Sequence, residues 1–348
     1  MKKVVCLVLI ATLLICSVCA NGTKEATGSS PIATQKKESK EVTVYSSMDT
    51  EWSNPLIKEF EEQTGIKVNV VTAGTGELLA RIEAESSNTL CDVLWAGDSG
   101  NSQSFQDKYA ESYQSTEDKY YDAQYKDAEN HKWYAQHIEC NIAIYNKDLV
   151  KEEEAPKSWA DLCDSKWKGK LYIPDPVKSG TGLNHVIALM LSMGKDDASR
   201  YEWLKKFATN LDGITASGSS IAYKAVVDGE YPIGFTYEEA AFRYLKAGAH
   251  IGLIYMNEGV NIARTSIQLL KNSPNQENGK KFIDFMLGKE VQSKFGTVIM
   301  RRSARNDLPV VEGMPALSTI KSCGVVDPVW KNDNKQKIIE TFKDALIK

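Results

Sequence analysis

The sequence predicts an α/β protein, in which a mostly parallel sheet is flanked by helices. Segments that alternate apolar and polar residues, typical of strands, are followed by segments with apolar residues at helical spacing. This alternation starts near residue 41 and starts again near residue 140. Small and hydroxyl residues collect where the predicted strands lead into the predicted helices. Strands that alternate with helices favour a parallel sheet.

The first half of the chain begins with a strand at residues 41–47 (EVTVYSS), which ends in hydroxyl residues. A helix is predicted over residues 52–65, because Pro55 lies near its first turn and Gly65 just past its end. The next elements in order are a strand at 66–71, a helix at 75–85 and a strand at 91–97.

The second half predicts another α/β unit. A strand at 140–146, a short helix at 158–164 and a strand entering a loop at 169–176 come first. Two glycines, Gly180 and Gly182, then open an apolar helix that runs to about Gly194. Further on, the pattern predicts a helix at 222–230, strands at 231–237, 252–259 and 264–271, and a long amphipathic helix at 276–296.

The amino terminus indicates export. Two lysines precede an apolar stretch of about 15 residues, which is short for a membrane span. We therefore predict a signal peptide over residues 1–20, with cleavage after Ala20 or lipid modification of Cys19 as the alternatives. Residues 21–40 are rich in Ser, Thr, Lys, Gly and Glu, the composition of a flexible tether. The protein is thus expected in the periplasm, free or anchored to the membrane by lipid.

Composition and motifs exclude several function classes. The net charge is −4 and no basic run occurs, so nucleic acid is not an expected partner. Four cysteines remain after the signal peptide, too few for a disulfide scaffold, and their pairing stays open; they are Cys91, Cys140, Cys163 and Cys323. No nucleophile elbow, phosphate loop or complete dinucleotide fingerprint is present, so the chain is expected to bind a solute without catalytic residues or a catalytic cofactor.

The candidate site consists of loops between predicted strands and helices. A helix start presents unpaired N–H donors and a partial positive charge, which bind phosphate or carboxylate. Glycine lets an anion approach the backbone, and hydroxyls add donors. The alternative for any one loop is an ordinary capped helix, with Ser179 or Thr181 as the N-cap. The candidate ligand- and anion-binding residues are Ser46, Ser47, Thr75, Gly76, Asp98, Ser179, Gly180, Thr181, Gly182, Ser219 and Tyr237.

Some of the loop residues could instead bind a hard cation through oxygen. The candidate metal ligands are Tyr237, Glu238, Asp98 and Glu85. The four histidines lack the spacing of a metal site, and His185 is notable only because it follows the glycine loop.

The chain resembles the extracellular solute-binding proteins of ABC importers, a family that includes receptors for ferric iron and for phosphorylated or phosphonate small molecules. Stretches that carry the resemblance include LIKEFEEQTGIKVNVVTAGTGELLARIEAE, APKSWADLCDSKWKGKLYIPDPVKSGTG and VVDGEYPIGFTYEEAA. The resemblance implies the periplasmic binding protein type 2 fold, in which two lobes, each a mixed, mostly parallel sheet flanked by helices, close on a ligand cleft between them. It places the first lobe at residues 41–139 and 264–348 and the second at 140–263.

The resemblance also implies roles for the candidate loops. The loop Ser179–Gly182 would hold an anion, and Ser46, Ser47, Thr75, Gly76, Asp98 and Tyr237 would face the cleft. Many ferric-binding members have two adjacent tyrosines after the strand that matches YPIGF, whereas this chain has Tyr237 followed by two glutamates. The resemblance makes ferric iron with a bound anion the predicted ligand, and a phosphorylated or phosphonate small molecule is the alternative, which the local chemistry favours equally.

The implied partners are an ABC permease and its ATPase, with the receptor itself a monomer. A secreted enzyme that acts on phosphorylated substrates in the same cleft is the rival hypothesis. Bulky apolar replacements of Thr181 and Gly182 are expected to weaken binding and leave the fold intact.

Overall fold

The architecture is a mixed sheet with helices packed on it, as the computed structural model of residues 39–97, 103–324 and 326–347 shows. The predicted signal peptide, Cys19 and all but the last two residues of the predicted tether lie outside these described residues. The α/β class predicted from the sequence is confirmed, whereas the sheet is mixed rather than mostly parallel, because the long central strand Tyr134–Asn146 pairs antiparallel with each of its neighbours.

Nine strands form the sheet within the described ranges, in the order β2-β1-β3-β8-β4-β6-β5, with β7 and β9 also pairing with β4. Pairs β1–β2, β1–β3 and β5–β6 are parallel, whereas β8, β6, β7 and β9 run antiparallel to β4. The strands are β1 (Glu41–Ser46), β2 (Lys67–Thr72), β3 (Val93–Ala96), β4 (Tyr134–Asn146), β5 (Leu171–Tyr172), β6 (Ile233–Tyr237), β7 (Ile251–Ile254), β8 (Ile262–Leu269) and β9 (Arg302–Ser303).

The helices connect these strands. They are α1 (Thr50–Thr64), α2 (Thr75–Ala84), α3 (Gln103–Tyr109), α4 (Trp159–Leu162), α5 (Gly180–Met193), α6 (Asp197–Asn210), α7 (Ser219–Val227), α8 (Glu238–Lys246), α9 (Gln276–Leu287), α10 (Lys289–Lys294) and α11 (Pro328–Leu346). None of the helices in the described part of the chain combines the length and apolarity that a membrane span requires.

Helix α1 shows how the local sequence sets the element bounds. Asp49 caps its start by accepting a hydrogen bond from the Glu51 N–H at 2.8 Å. Gly65 ends it in the left-handed conformation, with φ 67°, which glycine adopts without steric cost. Leu56, Ile57 and Phe60 bury one face of the helix. The predicted helix is therefore present, two residues longer at its start than expected.

Two large apolar clusters lie on the sheet. The first cluster combines β1, α1 and α9, with Phe60 and Phe282 in edge-to-face contact at 5.1 Å between ring centroids. The second cluster combines β6, α5 and α6, where Trp159 stacks on Phe235 at 6.0 Å. Strands β4 and β8 contribute residues to both clusters, because they cross from one to the other.

The carboxyl-terminal helix α11 packs in the second cluster, on α6, through Ile338, Phe342 and Ala345. The lobe division predicted from the sequence had assigned residues 264–348 to the first lobe, so the packing of this helix differs from that assignment. The lobe boundaries themselves stay a prediction. The predicted helix at 276–296 is divided into α9 and α10 at Gly288, and the predicted strand at 140–146 extends back to Tyr134.

Candidate functional site

Three groups of polar residues lie at the edges where strands lead into helices. The first group joins the ends of β1 and β3 to the start of α2. The Thr75 hydroxyl donates to Ser47 Oγ at 3.1 Å and accepts from the Gly97 N–H at 3.2 Å. Ser47 and Thr75 are half-buried and Gly76 is exposed, so these three predicted residues lie together.

Two other residues predicted in the first half of the chain do not belong to this first group. Ser46 is 2% exposed, and its hydroxyl oxygen accepts the Met48 N–H at 3.2 Å, so it stabilises the turn after β1. Asp98 lies outside the described residues.

The second group is formed by the starts of α5 and α7, which lie side by side. The chain segments before them are held together by hydrogen bonds from the Ala216 N–H to the Ile173 carbonyl and from the Asp175 N–H to the Ala216 carbonyl, both 2.8 Å. Ser179 caps α5 by accepting the Gly182 N–H at 3.3 Å. Its hydroxyl also lies 3.4 Å from the hydroxyl of Ser219, the first residue of α7.

The capped-helix interpretation of this loop and the anion-binding one are compatible. The first N–H groups of a helix have no carbonyl partner within the helix. The Ser179 side chain occupies the N–H of Gly182, while Gly180 is exposed and Thr181 is half-buried. The donors of α5 that remain for a ligand are therefore the N–H groups of Gly180 and Thr181.

Gly182 has a structural role that the sequence analysis did not foresee. A Cβ atom at this position would lie 2.0 Å from the Pro174 carbonyl oxygen, a distance that real Cβ atoms do not show. Any side chain here would push the backbone apart. The expectation that a bulky residue at Gly182 leaves the fold intact is thus wrong, whereas a Cβ at Gly180 meets nothing within 4 Å.

The third group surrounds Tyr237, at the end of β6. The Tyr237 ring is 6.5 Å from that of Tyr223, with an interplanar angle of 84°. The Arg301 guanidinium lies 6.0 Å from the Tyr237 ring and 4.9 Å from the Trp52 ring. Burial and the nearby Glu239 carboxylate raise the pKa of Tyr237 above its usual range, which keeps the phenol protonated in the absence of a cation.

Arg301 is the central cation of this third group, and the sequence analysis missed it. Its Nη2 donates to Glu239 Oε2 at 3.0 Å, its Nη1 to His137 Nε2 at 2.8 Å, and Glu139 Oε2 lies 3.7 Å away. Because His137 Nε2 accepts, its proton resides on Nδ1, which faces Gln136 Oε1 at 2.7 Å. Burial and the neighbouring Arg301 hold the pKa of His137 well below its usual range.

A signal for Arg301 was present in the sequence. Two adjacent arginines, Arg301 and Arg302, follow the apolar pair Ile299 and Met300 just beyond the last predicted helix. Adjacent cations just beyond a helix are the signal that could have marked this position. Met300 adopts a left-handed conformation with φ 62°, uncommon for a methionine, at the turn that leads into Arg301.

The three groups are connected by short contacts. Ser219 and Tyr223 are four residues apart on α7 and therefore share a helix face. Tyr223 contacts Tyr237, and Arg301 joins Tyr237 to Trp52 in the first two turns of α1. This helix directly follows the loop that contains Ser47. We call this connected region the candidate cleft.

Two predicted metal ligands are engaged elsewhere. Glu85 accepts hydrogen bonds from Tyr45 Oη and Arg81 Nε, both at 2.7 Å. It ends α2, about 15 Å along the helix from Thr75 at 1.5 Å per residue. Within residues 39–97, 103–324 and 326–347, no three His, Cys, Asp or Glu side chains are arranged to hold a metal ion.

Glu238 is the second predicted ligand that is engaged elsewhere, in a buried ion pair. Arg302 Nε and Nη2 donate to its two carboxylate oxygens at 2.6 and 2.7 Å, and Tyr255 Oη donates to it as well. Glu238 is 2% and Arg302 4% exposed. Tyr237 is thus the one predicted metal ligand of the described residues that belongs to the candidate cleft.

His185 belongs to the apolar core rather than to the cleft. It is 1% exposed and its Nε2 donates to the Thr236 carbonyl oxygen at 3.0 Å. Burial lowers the pKa of His185 to about 3. The four cysteines predicted to remain after processing are free thiols, two of them buried.

The His185 environment predicts a loss of stability in acid. Its folded pKa lies below the unfolded value of about 6.5, so the unfolded state binds the extra proton. Stability from this group is complete above pH 6.5 and falls by up to about 1.4 kcal/mol per pH unit as the pH drops from there toward 3. Urea unfolding of the His185→Gln variant between pH 7.5 and 5 should show a shallower decline than the native chain. An equal slope would assign the decline to other groups.

Comparisons with known proteins show the family of the chain. Residues 55–322 match the family model described as bacterial extracellular solute-binding protein. Iron uptake protein A1 of Synechocystis is 27% identical over 316 residues, covering 84% of this chain and 82% of the relative.

Solved structures share the fold. A ferric binding protein from Campylobacter jejuni superimposes with a TM-score of 0.73 at 22% identity, over 87% of this chain and 99% of that one. The periplasmic binding protein AfuA from Actinobacillus pleuropneumoniae, with fructose 6-phosphate bound, gives 0.72 at 24% identity, over 88% and 99%.

Proposed function

The chain belongs to the bacterial extracellular solute-binding protein family, and from this we propose that it is the solute-binding component of an ABC importer, whose ligand carries an oxyanion. Outside the inner membrane it binds this ligand in the candidate cleft and presents it to the permease, which its partner ATPase drives. It performs no chemistry on the ligand.

One observation carries the proposal: the starts of α5 and α7 lie side by side, with their first hydroxyls 3.4 Å apart. Two helix starts that meet at one place combine their N–H donors and partial positive charges. Gly180 is exposed there, so an anion can approach its backbone N–H.

Transport requires that the ligand favour a closed state, which it can do only by binding that state more tightly than the open one. Contacts with polar residues on elements of both large clusters would give the ligand this preference. Ser179 and Ser219 belong to elements of the second cluster, whereas Ser47 follows β1, an element of the first, and Thr75 is hydrogen-bonded to Ser47. Arg301 lies between Trp52 and Tyr237 and supplies a cation at the junction.

The geometry favours a small molecule that bears a phosphate or phosphonate group. Its oxyanion would accept the N–H groups of Gly180 and Thr181 and the hydroxyl of Ser219. AfuA, whose structure contains fructose 6-phosphate, has the same fold and supports this class of ligand.

Ferric iron with a bound anion is the second candidate, and one observation favours it. The fold brings Tyr223 beside Tyr237, so two phenols meet although the sequence has no adjacent tyrosine pair. The hard ferric ion prefers oxygen ligands and would displace the phenolic protons. Iron uptake protein A1 of Synechocystis and the ferric binding protein from Campylobacter jejuni support this candidate.

The test is a titration of the mature chain with fructose 6-phosphate, 2-aminoethylphosphonate, inorganic phosphate and ferric citrate, measured by calorimetry and visible absorbance. Tight binding of one organic phosphate or phosphonate, without turnover, is the expected result. A stoichiometric phenolate-to-iron absorbance band would assign iron as the ligand. Conversion of a bound phosphate ester would replace the receptor proposal with the enzyme hypothesis.

A further inference from the structure

Strand β4 presents three polar side chains to the candidate cleft. His137, Glu139 and Asn141 alternate along the strand, so they point to the same face of the sheet. The first two contact the Arg301 guanidinium, at 2.8 and 3.7 Å. This face of β4 is therefore the one that Arg301 covers.

Asn141 differs from the other two. It is 1% exposed, and neither its Nδ2 nor its Oδ1 has a hydrogen-bond partner among the described residues. Buried side-chain amides are nearly always hydrogen-bonded, so an amide with both ends unpaired indicates that another group completes its bonds.

The neighbours of Asn141 across the sheet place it beside the cleft. Tyr237 is its partner on β6, and directly opposite residues in antiparallel strands have their side chains on the same face. On its other side, the Asn141 N–H donates to the Asn261 carbonyl at 2.9 Å, and the Asn261 Oδ1 is also buried without a partner. Asn141 thus offers a donor and an acceptor beside Tyr237, and Asn261 adds a second acceptor on the other side of Asn141.

We propose that Asn141, aided by Asn261, hydrogen-bonds the part of the ligand that lies beyond its anionic group, and so selects a hydroxyl-bearing organic phosphate or phosphonate over the inorganic anion. A hydroxyl both donates and accepts, which matches an amide that offers Nδ2–H and Oδ1 together. This inference rests on the proposed function, since it assigns the selectivity of the same cleft.

Asn146 on the same strand provides a matched control. It is also buried, but its Nδ2 donates to the Val226 carbonyl at 2.8 Å and its Oδ1 accepts the Asp148 N–H at 2.9 Å. Leucine has nearly the shape of asparagine without its polar atoms, so Asn141→Leu and Asn146→Leu remove an unpaired and a paired amide respectively.

The experiment compares both variants with the native chain by calorimetry, using inorganic phosphate and a panel of hydroxylated organic phosphates led by fructose 6-phosphate, and by urea unfolding without ligand. Asn141→Leu should bind the organic phosphate at least tenfold more weakly, bind inorganic phosphate within twofold of native, and unfold at no lower urea concentration. Asn146→Leu should bind both as the native chain does and unfold at lower urea.

Four outcomes would overturn the inference. Unchanged affinity of Asn141→Leu for the organic phosphate excludes a contact between Asn141 and the ligand. An equal loss of affinity for the organic and the inorganic phosphate would mean that Asn141 contacts the anionic group itself. A lower urea midpoint with native affinities indicates a structural water at the amide. If the native chain binds ferric citrate or inorganic phosphate but no organic phosphate, there is no hydroxyl-bearing part of the ligand for Asn141 to select. The receptor function would still stand.

Failure of the proposed function is a separate result, because the native chain itself would then bind none of the probes. If Asn141→Leu does not fold, Asn141→Ala, which leaves space for water, is measured against the same criteria.

Discussion

Replacing Gly180 with proline should weaken binding of a phosphate-bearing ligand at least tenfold without destabilising the chain. Proline lacks the N–H that Gly180 offers at the exposed start of α5, and a hydrogen bond to a charged group contributes about 1.5–3 kcal/mol. Proline is tolerated at the first position of a helix. Ser179 has φ −123° and ψ 123°, the extended conformation that a residue before proline adopts.

The control for this prediction is Gly180→Ala. It adds a Cβ, which meets nothing within 4 Å, but keeps the N–H. Both variants should unfold at free energies equal to the native value or up to about 1 kcal/mol higher, because they restrict the unfolded chain. Calorimetric titration with the identified ligand distinguishes them. Native affinity in Gly180→Ala and lost affinity in Gly180→Pro would support a hydrogen bond from the Gly180 N–H to the anion. Equal affinities for the two variants would remove this loop from the site.

Replacing Arg302 with methionine should lower the free energy of unfolding by about 3–5 kcal/mol, because Glu238 would be left buried without its cation. The two residues are among the most enclosed charges of the described chain, and their bidentate contact is 2.6–2.7 Å long. Urea unfolding at pH 7 measures the loss.

The double variant Arg302→Met with Glu238→Leu tests the cause. Removing both charges together is often neutral, so the double variant should recover most of the lost stability. Ferric binding, if the native chain shows it, should survive in Glu238→Leu/Arg302→Met, since Glu238 is engaged by Arg302 and Tyr255. Loss of iron binding in the double variant, with stability recovered, would return Glu238 to the set of metal ligands.

The helices that could be predicted well from the sequence are those with capping residues at their ends. Helix α1 has Asp49 and Gly65 at its two ends, and α5 begins at the serine and glycines that predicted it. Such caps act within a few residues, so the linear pattern contains the information. The same pattern was available for α6, where Asp196 and Ser199 form a capping box, but no element was predicted there.

Which side chains pair with one another could not be predicted from the sequence. Glu85 and Glu238 have the composition and loop position of metal ligands, yet Tyr45 and Arg302 engage them from 40 and 64 residues away in the chain. Arg301 could not be assigned a role before its neighbours were known, since Trp52, His137 and Glu239 come from three separate elements. Asn141 has no distinguishing sequence context, and only its burial without partners singles it out.

Local chemistry along the chain was therefore sufficient for the α/β class, for most of the strands and helices predicted and for the loops that hold small and hydroxyl residues. Periodicity and capping depend on residues that are close in sequence, which is why they can be recognised without coordinates. Tertiary structure alone decided which of those loops meet, which acids are already paired, and that Gly182 is needed for its close approach to Pro174. These features depend on distances in space that periodicity and capping do not record, whether the partners lie 64 residues apart, as Glu238 and Arg302 do, or eight apart, as Gly182 and Pro174 do.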